Sequence, residues 1–228
     1  MGNMLDWKIF HRISAVSLLS MAMIILVQIF FFMSYPPPYE GTELEWFQIF
    51  DTNPLLGLIS FEGLMIVYML LSIFPALSLA MIHWRLSSSG VLVYLVISVI
   101  GIMAFIAARP AFEMLAISNS YFLADTEVER NSTLAAGKLL LSIFHGTAFQ
   151  VSYLMGSISG LVISFIMLKA GYFNKTIPIL RIASSICDWG LYLPGIGLYI
   201  SIFSVLFLFV WNLFVAKSLV QISRSELP

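Results

Sequence analysis

Apolar positions along this chain come in runs too long for the core helices of a soluble domain. Charge-poor stretches of about 20 residues, the length that crosses a bilayer at about 1.5 Å per residue, occur at 13–35, 54–82, 90–108 and 139–168. The first and third carry no charge, the second only Glu62, and the fourth only the titratable His145. A further run, 177–216, contains Arg181 and Asp188 and is broken by Leu193-Pro194-Gly195-Ile196-Gly197. That break divides it into spans at 177–194 and 198–216. The pattern predicts one all-α domain over 1–228, a bundle of six transmembrane helices. Lys8, His11 and Arg12 precede the first run as they would in a secretory signal. The run exceeds the roughly 7–15 residues of a signal core and leads into Met33-Ser34-Tyr35-Pro36, not a small-residue cleavage site, so it is expected to stay as an anchor.

Composition agrees with this pattern. The chain is 60% apolar and 10% charged, against roughly 45–50% and 25% in soluble domains, which excludes a soluble enzyme. A net charge of −1 leaves no electrostatic footprint for nucleic acid. The single cysteine, Cys187, excludes an internal disulfide and any multi-thiolate metal centre. With the amino terminus inside, six spans put Lys8, Arg12, Arg85, Lys169, Lys175, Arg181, Lys217 and Arg224 on the cytoplasmic side and only Arg109, Arg130 and Lys138 outside. Eight basic residues against three satisfy the positive-inside rule. Both termini are therefore expected in the cytoplasm, in a multi-pass protein of the plasma membrane whose first partner is the lipid bilayer.

The connections predicted on the inner side are short. Two outer ones are longer. The first contains Pro36-Pro37-Pro38, a stiff polyproline stretch, followed by an acidic and aromatic segment around Trp46 and Phe47. The second, 109–138, spaces Phe112, Leu115, Ala116, Phe122 and Leu123 as a helix on the membrane surface would, with 125–133 solvated. Asn131-Ser132-Thr133 in that segment is a glycosylation sequon that arises readily by chance.

Two patterns bear on packing and chemistry. Ala148, Ser152, Gly156, Gly160 and Ser164 recur every fourth residue, a small-residue ridge along which helices approach closely in lipid. The ridge can pack within the bundle, against a membrane-protein partner, or against a second copy in a homodimer. The ionisable groups inside the spans, Glu62, His145 and Asp188, together with Arg109, are expected at similar depth as one polar cluster, reinforced by Gln150 and by Tyr153 or Trp189. Charge at membrane depth costs on the order of 2.5–3.5 kcal/mol unless paired or hydrated. Such a cluster either fixes helix register or holds a ligand or ion. Motifs for catalysis are missing from the sequence, and no metal or cofactor is expected.

Lys169-Ala170-Gly171-Tyr172-Phe173 followed by Pro178, with the small-residue helix before it and two spans after it, resembles a widespread prokaryotic family, the six-helix domain of unknown function 4386. The resemblance lies mainly in 139–219. It implies a six-span bacterial or archaeal membrane protein and assigns no site residues. The expected function is a non-catalytic accessory subunit or small-ligand-binding bundle; the alternative is a transporter or channel using the outer polar cluster.

Overall fold

The computed structural model of the chain describes residues 7–193 and 195–224, with 198 and 199 described through the backbone alone. Among the described residues the fold is all-helical, without strands. The helices are α1 (Trp7–Ser34), α2 (Glu43–Thr52), α3 (Pro54–Ser60), α4 (Gly63–His83), α5 (Ser88–Ala107), α6 (Ala111–Leu123), α7 (Glu127–Phe144), α8 (Thr147–Ala170), α9 (Thr176–Asp188) and α10 (Gly197–Arg224), with a 3-10 turn at Trp189–Tyr192. Among the described residues, five helical stretches are long and apolar enough to cross a membrane: Trp7–Ser34, Gly63–His83, Ser88–Leu123, Glu127–Ala170 and Ile200–Arg224. Ser14, Ser17, Ser78, Ser164, Ser184 and Ser185 are buried while Val16, Phe30, Met103 and Phe203 are more than half exposed. Serines inside and bulky apolar side chains outside is an arrangement that water penalises and lipid does not. The chain is a multi-pass membrane protein by these measures.

Three expectations from the apolar pattern change in detail. The predicted span 54–82 is two helices, α3 and α4, separated at Phe61-Glu62, where Glu62 takes the left-handed conformation with φ 60°. The predicted span 139–168 is likewise cut at His145-Gly146, and its first part is the end of α7, which begins at Glu127 in the segment read as solvated. The predicted span 177–194 is the 13-residue α9 and the 3-10 turn; Pro194 lies outside the described residues. Hydropathy does not detect these breaks because the residues that make them sit among apolar neighbours.

The chain divides into two compact units, Met1–Ile25 with Tyr68–Ile102 and Ser152–Pro228, and Leu26–Val67 with Met103–Val151. In the first, α4 carries Pro75 in its interior. Proline has no N–H, so the carbonyl four residues earlier, that of Leu71, loses its helical partner. Ser17 of α1 donates to that carbonyl at 2.7 Å, and Ser14 donates to the carbonyl of Phe74 at 3.0 Å. Ser17 of one helix thus repairs the gap that proline opens in another, as a span in hydrocarbon requires. The same unit contains a tight hairpin in which α9 packs along α10. A Cβ on Gly190 would come within 2.6 Å of Ile200, and one on Gly197 would collide with the Gly190 carbonyl, so both positions need glycine.

The second unit has a core of the kind found in soluble domains. Trp46, Phe47, Phe50, Phe61, Ala111, Met114 and Phe144 are buried together, joined by edge contacts such as Trp46–Phe61, 4.9 Å between ring centres. Two of its helices begin with reciprocal caps, Thr42 with Glu45 and Thr126 with Glu129. The helix expected in 109–138 is present as α6. Its buried residues are Ala111, Met114 and Ser118, whereas Phe112, Phe122 and Leu123 of the predicted stripe stay exposed.

The repair at Pro75 is testable by a double-mutant cycle. Ser17→Ala leaves the Leu71 carbonyl without a partner and should cost about 1–3 kcal/mol. With Pro75→Ala, which restores the helical N–H, the same replacement should cost less than half as much. Reversible unfolding in mixed detergent micelles measures both, and equal losses in the two backgrounds would refute the repair.

Candidate functional site

Two polar constellations lie among the apolar helices, one in each unit. In the second unit, three of the predicted residues stand where helices are interrupted: Glu62 between α3 and α4, Arg109 between α5 and α6, and His145 as the C-cap of α7. Arg109 is almost fully buried, and its Nε donates to Glu62 Oε2 at 2.7 Å. Its Nη1 donates to the carbonyls of Ala108 at 3.1 Å and Phe144 at 3.2 Å. Phe144 ends α7, so its carbonyl has no helical donor, and a cation there also meets the negative end of the helix dipole. The rings of Phe105, Phe144 and Phe149 surround the guanidinium, with centres 4.4, 4.2 and 4.8 Å from its carbon. Glu62 Oε1 accepts from the Tyr39 hydroxyl at 3.1 Å.

This pair is a knot that holds helix ends. Glu62 bears backbone strain of about 1–3 kcal/mol in its left-handed conformation, and its two hydrogen-bonded carboxylate oxygens hold it there. His145 is exposed and meets the rings of Phe144 and Tyr39 at 4.9 and 6.4 Å. Gln150 is exposed on the first turns of α8. Asp188, expected in the same cluster, belongs to the first unit and accepts from Ser157 Oγ at 3.3 Å. Of the expected cluster, Glu62 and Arg109 are paired within this unit, with His145 alongside.

The second constellation is a seam of α8, α9 and α10 in the first unit. Arg181, Ser184, Ser185 and Asp188 fall at i, i+3, i+4 and i+7 of α9, one polar face. Ser184 and Ser185 are buried, while Ile179 and Ile186 of the same helix are more than half exposed. Arg181 was counted among the cytoplasmic basic residues; its half-buried guanidinium instead meets the middle of α8, where Nη2 donates to the Gly156 carbonyl at 3.1 Å. Its Nη1 donates to Ser184 Oγ at 3.2 Å, and the Trp211 ring lies 5.8 Å away. Among the described residues Arg181 has no ion pair. Three buried side-chain polar atoms on α9 and α10 find no partner among the described residues: Ser185 Oγ, Trp211 Nε1 and Asn212 Oδ1. Asn212 meets the Tyr68 hydroxyl through its Nδ2 at 3.5 Å.

The small-residue ridge explains the fit. A Cβ at Gly160 would lie 2.5 Å from Ser185 Oγ and 2.7 Å from the Arg181 guanidinium, so the missing side chain is the space that α9 fills. At Gly156 a Cβ would meet nothing within 4 Å. Ser152 and Ser164 are buried in the same unit, and Ala148 lies on α8 in the other. The face of α9 was legible as polar residues at helical spacing, and Asn212 as an amide inside an apolar run. Ser184, Ser185, Trp211 and Asn212 carry no charge, so the ionisable residues inside the spans do not point to them. Among the described residues no three His, Cys, Asp or Glu side chains converge as metal ligands would.

Replacing Gly160 by Ala should destabilise the protein by about 1–3 kcal/mol through overpacking, while Gly156→Ala, whose methyl meets nothing within 4 Å, should cost nothing. Thermal unfolding in detergent distinguishes them, and equal melting points would show that α9 does not occupy the ridge. Glu62→Gln leaves Arg109 buried without its counter-charge, a loss of about 3–5 kcal/mol. Arg109→Gln should cost a similar amount, and the double variant less than the sum by about 0.5–3 kcal/mol. Strict additivity would refute the knot.

No family model, curated protein or solved structure matches this chain.

Proposed function

We propose that this chain is a non-catalytic multi-pass protein of a prokaryotic plasma membrane, a bundle of six crossings with both termini in the cytoplasm, which binds a small ligand in the α8–α9–α10 seam. One observation carries the reading. Ser185 Oγ, Trp211 Nε1 and Asn212 Oδ1 are buried without partners beside a half-buried arginine that has no counter-ion among the described residues. Unpaired polar groups at such depth are costly, and intramembrane ionisable residues are commonly functional. The Glu62–Arg109 knot lends the transporter reading no comparable support, because its hydrogen bonds go to helix ends and to Tyr39.

Chain length supports a sixth crossing. From Thr176 to Tyr192, α9 and the 3-10 turn rise about 27 Å at about 1.5 and 2.0 Å per residue, close to the roughly 30 Å of a hydrocarbon core. The prokaryotic assignment rests on the resemblance carried by Gly171-Tyr172-Phe173 and Pro178.

The test is extraction of the full chain from native membranes in a mild detergent, followed by native mass spectrometry. A stoichiometric small solute that disappears in Trp211→Phe is the expected result. A stoichiometric protein with no small solute would overturn ligand binding in favour of an accessory subunit.

A further inference from the structure

We propose that the ligand of this seam is a small soluble oxyanion, a carboxylate or phosphate, held by Arg181, Ser185 and Trp211. The inference rests on the ligand-binding reading and adds the chemical class. It follows from what the uncommitted groups can do. A guanidinium has five N–H donors and no acceptor, and Arg181 directs one bond to Ser184 and one to Gly156. The indole of Trp211 can only donate, and its Nε1 has no partner. The Ser185 hydroxyl is buried and unpartnered as well. Asn212 Oδ1, one residue along α10, is an unpartnered acceptor, but the donors outnumber it, and their complement is an acceptor carrying negative charge. The planar fork of arginine suits a carboxylate or phosphate because it can bond two oxygens at once.

The geometry gathers these donors. Ser185 Oγ and the Arg181 guanidinium both lie against Gly160 of α8, and the guanidinium stands over the Trp211 ring of α10. The acid on the same face of α9, Asp188, accepts from Ser157, next to the Gly156 that accepts from Arg181, and among the described residues the two side chains form no ion pair. A positive charge among apolar helices attracts an anion more strongly than the same charge in water. Because the guanidinium meets the middle of α8, a free solute fits this depth better than a lipid headgroup.

The experiment is a thermal-shift titration of the detergent-purified full chain with sodium acetate and with inorganic phosphate at constant ionic strength. Choline chloride and glycerol serve as cationic and neutral probes. At least one of the two anions should raise the melting temperature saturably. Arg181→Gln should weaken its apparent affinity about tenfold or more, as loss of a charge-assisted bond implies. Trp211→Phe and Ser185→Ala should each weaken it severalfold, and Ser185→Ala, which removes a single oxygen, should melt like the parent without ligand. Response to neither anion, or a response that all three variants retain, overturns the proposal. A saturable response to choline or glycerol alone, weakened in Trp211→Phe, overturns the oxyanion and leaves the ligand-binding reading standing. A shift seen only in phosphatidylglycerol nanodiscs, and not with free anions, would assign the site to a lipid headgroup and overturn the soluble ligand.

Discussion

Inside a bilayer there is no water to complete the hydrogen bonds of an interrupted helix, so every break must be closed by the protein itself. Most of the notable contacts in this chain answer that constraint. Ser17 closes the gap at Pro75. Arg109 closes the end of α7 at Phe144 and bonds the carbonyl of its own neighbour Ala108 after α5. A serine suffices for one orphan carbonyl in a continuous helix. Where two helix ends meet, a longer side chain with several donors is needed, and its charge then requires Glu62. The ion pair is thus a consequence of broken helices.

What was legible in the sequence follows from the same physics. Long apolar runs are dictated by the thickness of hydrocarbon, so residue types alone predict six spans, and five membrane-length apolar helical stretches are present among the described residues. Breaks are set by backbone conformation at single residues, and an apolar pattern does not register them. Glu62 reads as one polar residue in a span, yet its positive φ ends one helix and starts the next. The capping boxes at Thr42 and Thr126 were visible as Thr-x-x-Glu, and an apolar-run search treats such residues as loop. The segments read as loops fold around Trp46, Phe47 and Phe50 because their aromatic residues can bury one another.

The polar constellations were half legible for a further reason. Depth along a helix can be counted from sequence, and that places Glu62, Arg109 and His145 at comparable levels. Azimuth cannot be counted across helices, so the hydrogen bond from Ser157 to Asp188 could not be read from spacing. Arg181 shows the opposite error. Its position near the end of a predicted span suggested a surface cation, whereas its long side chain carries the charge to the Gly156 carbonyl. A flexible side chain separates where a residue is attached from where its charge acts.

The left-handed backbone at Glu62 restricts what this position can become. Glycine or asparagine would relax the backbone, since both tolerate positive φ, but either would strand the buried cation of Arg109. Glutamine removes the charge without relieving the backbone. Aspartate tolerates the conformation and keeps the charge, yet it is one methylene shorter than the side chain that now spans Tyr39 and Arg109. Single-step drift at this site is therefore blocked in every chemically reasonable direction, and exchange requires positions 62 and 109 to change together. In a set of related sequences the two should behave as one heritable character.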